Sequence, residues 1–232
     1  MKTLLRLLTA MALLAACQPT FAAPANDGMH IVLPSLPQPL ALENHPLDVR
    51  AEADGSLVMR APGQTNLFNY PTKPEWSMHN APMALFTPEG DFTFSARLSA
   101  PLKNVYDVAA LVVYENENYW AKFCYENSAD KVATVVSVVT SGFSDDCNSE
   151  LITTPYIYYA IARKGTEYSF HFSTDGKTWK LVRHFAKATS TPVRIGFAVH
   201  AYCDEPLTGT FSEITYKTSA PANMRSLEPC GK

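Results

Sequence analysis

From about residue 46 onward the chain alternates apolar and polar side chains with a period of two, the mark of strands with one face buried. The clearest run sets Tyr168, Phe170 and Phe172 against Ser169, His171 and Ser173, so that one set faces a core and the other faces away from it. Comparable runs predict strands at 92–98, 108–114, 119–126, 133–139, 157–163, 168–173, 179–185, 193–200 and 209–216. Asp54-Gly55, between Val49-Arg50-Ala51 and Leu57-Val58-Met59, predicts a tight hairpin, and Asp175-Gly176 ahead of Trp179 predicts another. No segment sustains a 3.6-residue apolar period with helix caps, which favours an all-β antiparallel sandwich over any βαβ arrangement.

The N-terminal residues have a different pattern. Lys2 and Arg6 flank an apolar stretch from Leu4 to Ala16, too short to span a bilayer comfortably and suited to an export signal at 1–16. Leu14-Ala15-Ala16-Cys17 is similar to the lipobox of bacterial lipoproteins, while Thr20-Phe21-Ala22 offers an ordinary signal-peptidase site. The first predicts a protein acylated at Cys17 and held to the outer membrane or in the periplasm by lipid alone; the second predicts a secreted one. Pro19, Pro24, Pro34, Pro37 and Pro39 give 17–45 the composition of a semi-extended tether. A single sandwich domain is expected at 46–218, with a tail at 219–232 pinned by Cys230.

Composition narrows the function classes. In 232 residues, 47% are hydrophobic and 11% aromatic, enough to fill the core of one such domain. Lys and Arg number 19 against 22 Asp and Glu, with no block of like charge, which excludes nucleic acid as the expected partner. Cys17 aside, Cys124, Cys147, Cys203 and Cys230 form an even set suited to two disulfides in an exported chain. Four cysteines admit three pairings, of which sequence order favours Cys124 with Cys147 and Cys203 with Cys230. The paired C-x-x-C spacing of a zinc site is missing.

Several motifs in order carry a resemblance. Phe170-His171-Phe172-Ser173-Thr174-Asp175-Gly176-Lys177-Thr178-Trp179 resembles the S-x-D-G-x-x-W hairpin of concanavalin A-like lectin/glucanase sandwiches. Leu111-Val112-Val113-Tyr114 leading to Tyr119-Trp120-Ala121-Lys122-Phe123-Cys124-Tyr125-Glu126, then Val138-Val139-Thr140-Ser141-Gly142-Phe143-Ser144-Asp145-Asp146, then Ala162-Arg163-Lys164-Gly165, are similar to the domain of unknown function 1349 family. The resemblance covers about residues 70–217 and implies a concanavalin A-like jelly roll. By analogy with sandwich lectins it also implies sugar binding, which the residues themselves must support. Ala160 stands where family members commonly carry a longer polar side chain.

The candidate chemistry follows from alternation. Trp120, Lys122, Cys124 and Glu126 share one face of a strand, offering an indole for stacking on sugar C–H groups and a cation and carboxylate for hydroxyls. Gly196, Ala198 and His200 share a face of another strand, where small side chains leave room for a ligand or for another backbone. Tyr158 is expected to join that wall. The expected ligand-binding set is therefore Trp120, Lys122, Glu126, Tyr158 and His200. Asp145, Asp146 and Asn148 are weak calcium candidates in what reads as a polar turn. No catalytic residue is assigned: Glu115 and Glu117 alternate correctly for a glycosidase pair but fall in a polar turn, and no G-x-S-x-G is present. A non-catalytic carbohydrate-binding sandwich is thus expected. An envelope module that docks a protein partner is the first alternative, and a weak glycoside hydrolase the second.

Overall fold

The computed structural model describes residues 30–187 and 192–227. In chain order the strands are β1 (His30–Ile31), β2 (Leu40–Glu43), β3 (Asp48–Ala51), β4 (Leu57–Ala61), β5 (Leu67–Phe68), β6 (Met78–His79), β7 (Met83–Phe86), β8 (Phe92–Ser99) and β9 (Asp107–Asn116). They continue with β10 (Tyr119–Asn127), β11 (Ala133–Ser141), β12 (Phe143–Leu151), β13 (Ile157–Lys164), β14 (Glu167–Ser173), β15 (Lys180–Ala186), β16 (Arg194–Ala201) and β17 (Leu207–Lys217). One sheet has the order β1-β2-β7-β16-β9-β10-β11-β12 and the other β15-β14-β13-β8-β17-β4-β3. A separate β5–β6 pair lies outside both. Every pairing is antiparallel, as a concanavalin A-like β-sandwich requires.

The period-two pattern does what it predicts. Ala121, Phe123 and Tyr125 of β10 enter the core between the sheets, where Phe123 stacks on Tyr159 at 3.8 Å between ring centroids and on Phe170 at 5.0 Å. The Tyr159 hydroxyl donates to the Cys124 carbonyl at 2.7 Å, which fixes β10 to the opposite sheet. At the Asp175-Gly176 turn the Asp175 carboxylate accepts from the Lys177 and Thr178 amides, so its pKa falls below the ordinary carboxylate value.

Four expectations need correction. The tether does not end at residue 45: β1 and β2 extend the first sheet, and Ile31, Leu33 and Leu40 are buried, so the proline-rich composition hid a sheet edge. The stretch Ser144 to Asn148, read as a turn, lies inside β12. The tail, expected to depend on Cys230, packs through its described residues as well: the Thr93 hydroxyl donates to the Ser219 carbonyl and Met224 is buried. Cys124 and Cys147 do not pair. Cys124 sits opposite Val136 and Cys147 opposite Ser137, adjacent residues of β11 that face opposite sides, and the flanking strands lie about 10 Å apart, beyond the roughly 7 Å a disulfide spans. Residues 1–16, Cys17 and Cys230 lie outside the described residues, and with them the expected export signal, the expected acylation site and the partner expected for Cys203.

Burial pushes the Cys124 thiol far above its ordinary pKa, whereas Cys147 is exposed. In thiol labelling of the native protein with peptide mapping, Cys147 is expected to react and Cys124 to remain protected until the protein is unfolded.

Candidate functional site

The outer face of the eight-stranded sheet is apolar as well as the inner one. Val108, Ala110 and Val112 of β9, Val136 and Val138 of β11, Met83 and Leu85 of β7, and Ala198 of β16 form a second buried cluster there. A flap carrying β5 and β6 covers it with Leu67, Phe68 and Ala81. Asn69 fastens the flap: its side-chain amide donates to the carbonyls of Glu117 and Gly142, both at 3.0 Å, and its backbone N–H donates to the Ser144 hydroxyl. Trp120 belongs to this cluster and is 0% exposed, with its indole N–H donating to the Glu117 carbonyl at 3.2 Å. An indole sealed under the flap has no face to offer a sugar, so its expected stacking role is withdrawn.

The flap leaves one corner of the sheet uncovered, and a cavity of about 240 Å³ remains there. Its floor is Lys122, Glu126 and His200 together with Val136 and Val138. The aromatic walls are Phe68 and Tyr70 from the flap together with Tyr106 and Tyr202, whose rings meet edge to face at 5.6 Å. Asn66 and Asp146 complete the lining. The volume lies just below the roughly 300 Å³ at which pockets for drug-sized ligands begin, a fit for one small ring. Tyr106 takes a left-handed backbone with φ of 63°, costly for a bulky residue, and two contacts hold it there. Its N–H donates to the Asn127 carbonyl at 2.7 Å, and the Asp107 carboxylate accepts from the Lys103 and Asn104 amides.

Register explains the floor. Across the sheet His200 pairs with Val108, which pairs with Glu126, while Lys122 pairs with Val112, two rows away. The diagonal from Lys122 to His200 passes over Ala110, whose methyl group is low enough for the lysine to cross. Lys122 Nζ lies 3.1 Å from His200 Nε2. An ammonium only donates, so Nε2 accepts and the ring proton sits on Nδ1. Burial, reinforced by the Lys122 charge, holds the His200 pKa well below its ordinary value, and the imidazole is neutral. Burial pushes Glu126 up to about 7 although Lys122 pulls it down; Asp146 adds to the rise. Among the described residues the Glu126 carboxyl accepts no hydrogen bond and closes no ion pair.

Of the expected ligand set, the fold thus brings Lys122, Glu126 and His200 together. Tyr158 is on the other sheet, where its hydroxyl donates to Glu213. The space expected beside Gly196 is filled by backbone: a methyl group there would stand 2.0 Å from the Ala84 carbonyl oxygen of β7. Successive residues Asp145 and Asp146 face opposite sides of β12; Asp145 pairs with Arg183 at 2.9 Å and Asp146 turns to the cavity, so the two cannot converge on one calcium ion. Phe68, Tyr70, Tyr106 and Tyr202 escaped the sequence reading, and Asp146 entered it only as a weak calcium candidate. Tyr202 follows His200 by two along the chain, and that spacing was the available signal.

The family model described as "Protein of unknown function (DUF1349)" matches residues 42–219, which takes in every strand from β3 to β17. The chain belongs to this family. No curated protein matches it. Among solved structures, a functionally unknown protein from Saccharomyces cerevisiae superposes with a TM-score of 0.72 at 23% identity, over 79% of this chain and 97% of that one. The GH43 protein BlXynB from Bacillus licheniformis superposes at 0.57 with 13% identity, over 71% of this chain and 33% of that one. A xylan β-1,4-xylosidase from Bacillus halodurans C-125 gives 0.56 at 14% identity, over 76% and 38%. This DUF1349 chain therefore shares its fold with these proteins and spans about a third of the length of the two Bacillus proteins.

Two outcomes follow for this DUF1349 protein. Trp120→Ala is expected to lower stability by about 3–5 kcal/mol in urea denaturation, the cost of an emptied core site. The native pKa of Glu126 stands above its ordinary value of 4.5, so the folded state binds a proton more tightly than the unfolded chain. Stability from this group is full below pH 4.5, falls by about 3 kcal/mol as pH rises to about 7, and is flat beyond. Glu126→Gln is expected to remove that slope in denaturation curves measured from pH 4 to 8.

Proposed function

We propose that this protein binds a saccharide without chemistry, in the corner cavity of the eight-stranded sheet. The observation that carries the proposal is the Glu126 carboxyl, 8% exposed and without a hydrogen-bond partner among the described residues, beside a buried Lys122 ammonium in an aromatic-walled cavity. Buried polar groups are normally satisfied, and groups left open in a cavity await a ligand that supplies the missing partners. Sugar rings present C–H faces to tyrosine and hydroxyls to charged groups, and both kinds of surface are present. The likeness to part of a xylan β-1,4-xylosidase and of a GH43 protein supports this reading at the level of fold. Export, with acylation at Cys17, belongs to the same proposal and is tested by labelling with a fatty-acid analogue against Cys17→Ala.

One feature favours a second reading, glycoside hydrolysis: burial raises Glu126 to about 7, so part of it keeps its proton at neutral pH, and Asp146 lines the same cavity. Their positions, two strands across and four residues along the register, put the backbones roughly 16 Å apart, too far for the roughly 5 Å carboxyl separation of a retaining pair. Binding without turnover is the better account.

In a glycan array, the wild-type protein is expected to bind a defined group of sugars. Tyr106→Ala and Lys122→Met are each expected to lower that signal at least tenfold while the near-ultraviolet circular dichroism stays native. No reducing sugar should be released from the bound glycans. A protein-docking module would give no glycan signal at all, and measurable release would establish the hydrolase.

A further inference from the structure

Taking the saccharide reading as its basis, the inference concerns the class of sugar. Lys122 is 3% exposed, and among the described residues its ammonium makes one hydrogen bond, to a neutral imidazole that brings no negative charge. Glu126 is near enough to feel that charge but does not close an ion pair with it. Among the described residues the sheet therefore holds a buried cation with spare donors and no counter-ion in contact, an arrangement that costs several kcal/mol unless something anionic completes it. A hydroxyl would satisfy the donors and leave the charge uncompensated; a carboxylate would satisfy both.

The position of Glu126 at first argues against a second carboxylate. Two ionised carboxylates repel, but one of a close pair readily holds a proton and donates it to the other. We propose that the cavity takes the carboxylate of a uronic acid residue on the Lys122 ammonium, with the protonated Glu126 carboxyl donating a hydrogen bond to the same ligand group. Lys122 supplies the charge, Glu126 the donor, and the tyrosine walls enclose the ring. Binding is then linked to occupancy of the Glu126 proton, so affinity falls as pH rises. The groups facing Glu126 are Lys122 and Cys124 on its own strand, the Cys124 thiol pushed far up by burial, with His200 on β16, Asp146 on β12 and the tyrosines at 70, 106 and 202. Burial keeps His200 well below and Tyr70 above its ordinary pKa, which leaves Glu126, raised to about 7, as the group that sets the dependence.

The test uses paired probes that differ only in the acid: oligosaccharides ending in glucuronate or glucose, and in galacturonate or galactose, titrated calorimetrically into the full chain at pH 6 and pH 8.5. One uronate is expected to bind at least tenfold more tightly than its neutral partner at pH 6 and to lose at least tenfold at pH 8.5. Glu126→Gln, which keeps a donor at every pH, is expected to bind the uronate with little pH dependence. Lys122→Met is expected to abolish the preference and Lys122→Arg to retain it, which separates the charge from the fold. Equal binding of acid and neutral partners, or a uronate affinity that does not change with pH in the wild type, would overturn the inference and leave the saccharide reading standing. Absence of binding by every member of both pairs, and of any glycan-array signal, would remove the saccharide reading as well.

Discussion

The structure turns on an apolar outer surface that cannot be left in water. A sandwich normally needs only its inner faces dry, but here the central strands of the larger sheet carry valine, alanine, methionine and tryptophan outward too. The flap around β5 and β6 exists to cover them, and Asn69 ties it across the loops that follow β9 and β11. Because the flap is shorter than the surface beneath it, one corner stays open, and there the outward side chains change from apolar to charged. The site is the remainder of a packing problem.

That remainder is costly to the fold. Lys122, Glu126 and His200 are all nearly buried, and each gives up hydration that no close partner fully restores. Hydrophobic residues of similar volume would be at least as stable at such positions. Perturbed groups gathered in a cavity with a strained tyrosine at its rim are the pattern of a binding site.

The fold was legible because alternation is a local property: Tyr168 to Ser173 reads as a strand with no knowledge of its neighbours. The charged part of the site was legible for the same reason, since Lys122 and Glu126 share a face and His200 stands beside small residues. The rest depended on what covers each face. Trp120 has the parity of Lys122, and only the flap, contributed from some fifty residues upstream, decides that one is sealed and the other opens into the cavity. Ser-Asp-Asp-Cys-Asn has the composition of a turn, yet it forms an outer strand because the partner β11 supplies the hydrogen bonds. Tyr106 and Tyr202 lie outside the strand pattern, next to the ends of β9 and β16, and nothing local marks them as facing each other.

The contact between Lys122 and His200 has a dynamic consequence. A lysine stem has many rotamers, and freezing it when a ligand arrives would cost on the order of 1 kcal/mol or more. Here the diagonal over Ala110 and the imidazole at its end select one rotamer through contacts within the fold itself. The entropy is lost during folding, so an incoming group meets a fixed donor instead of a searching one.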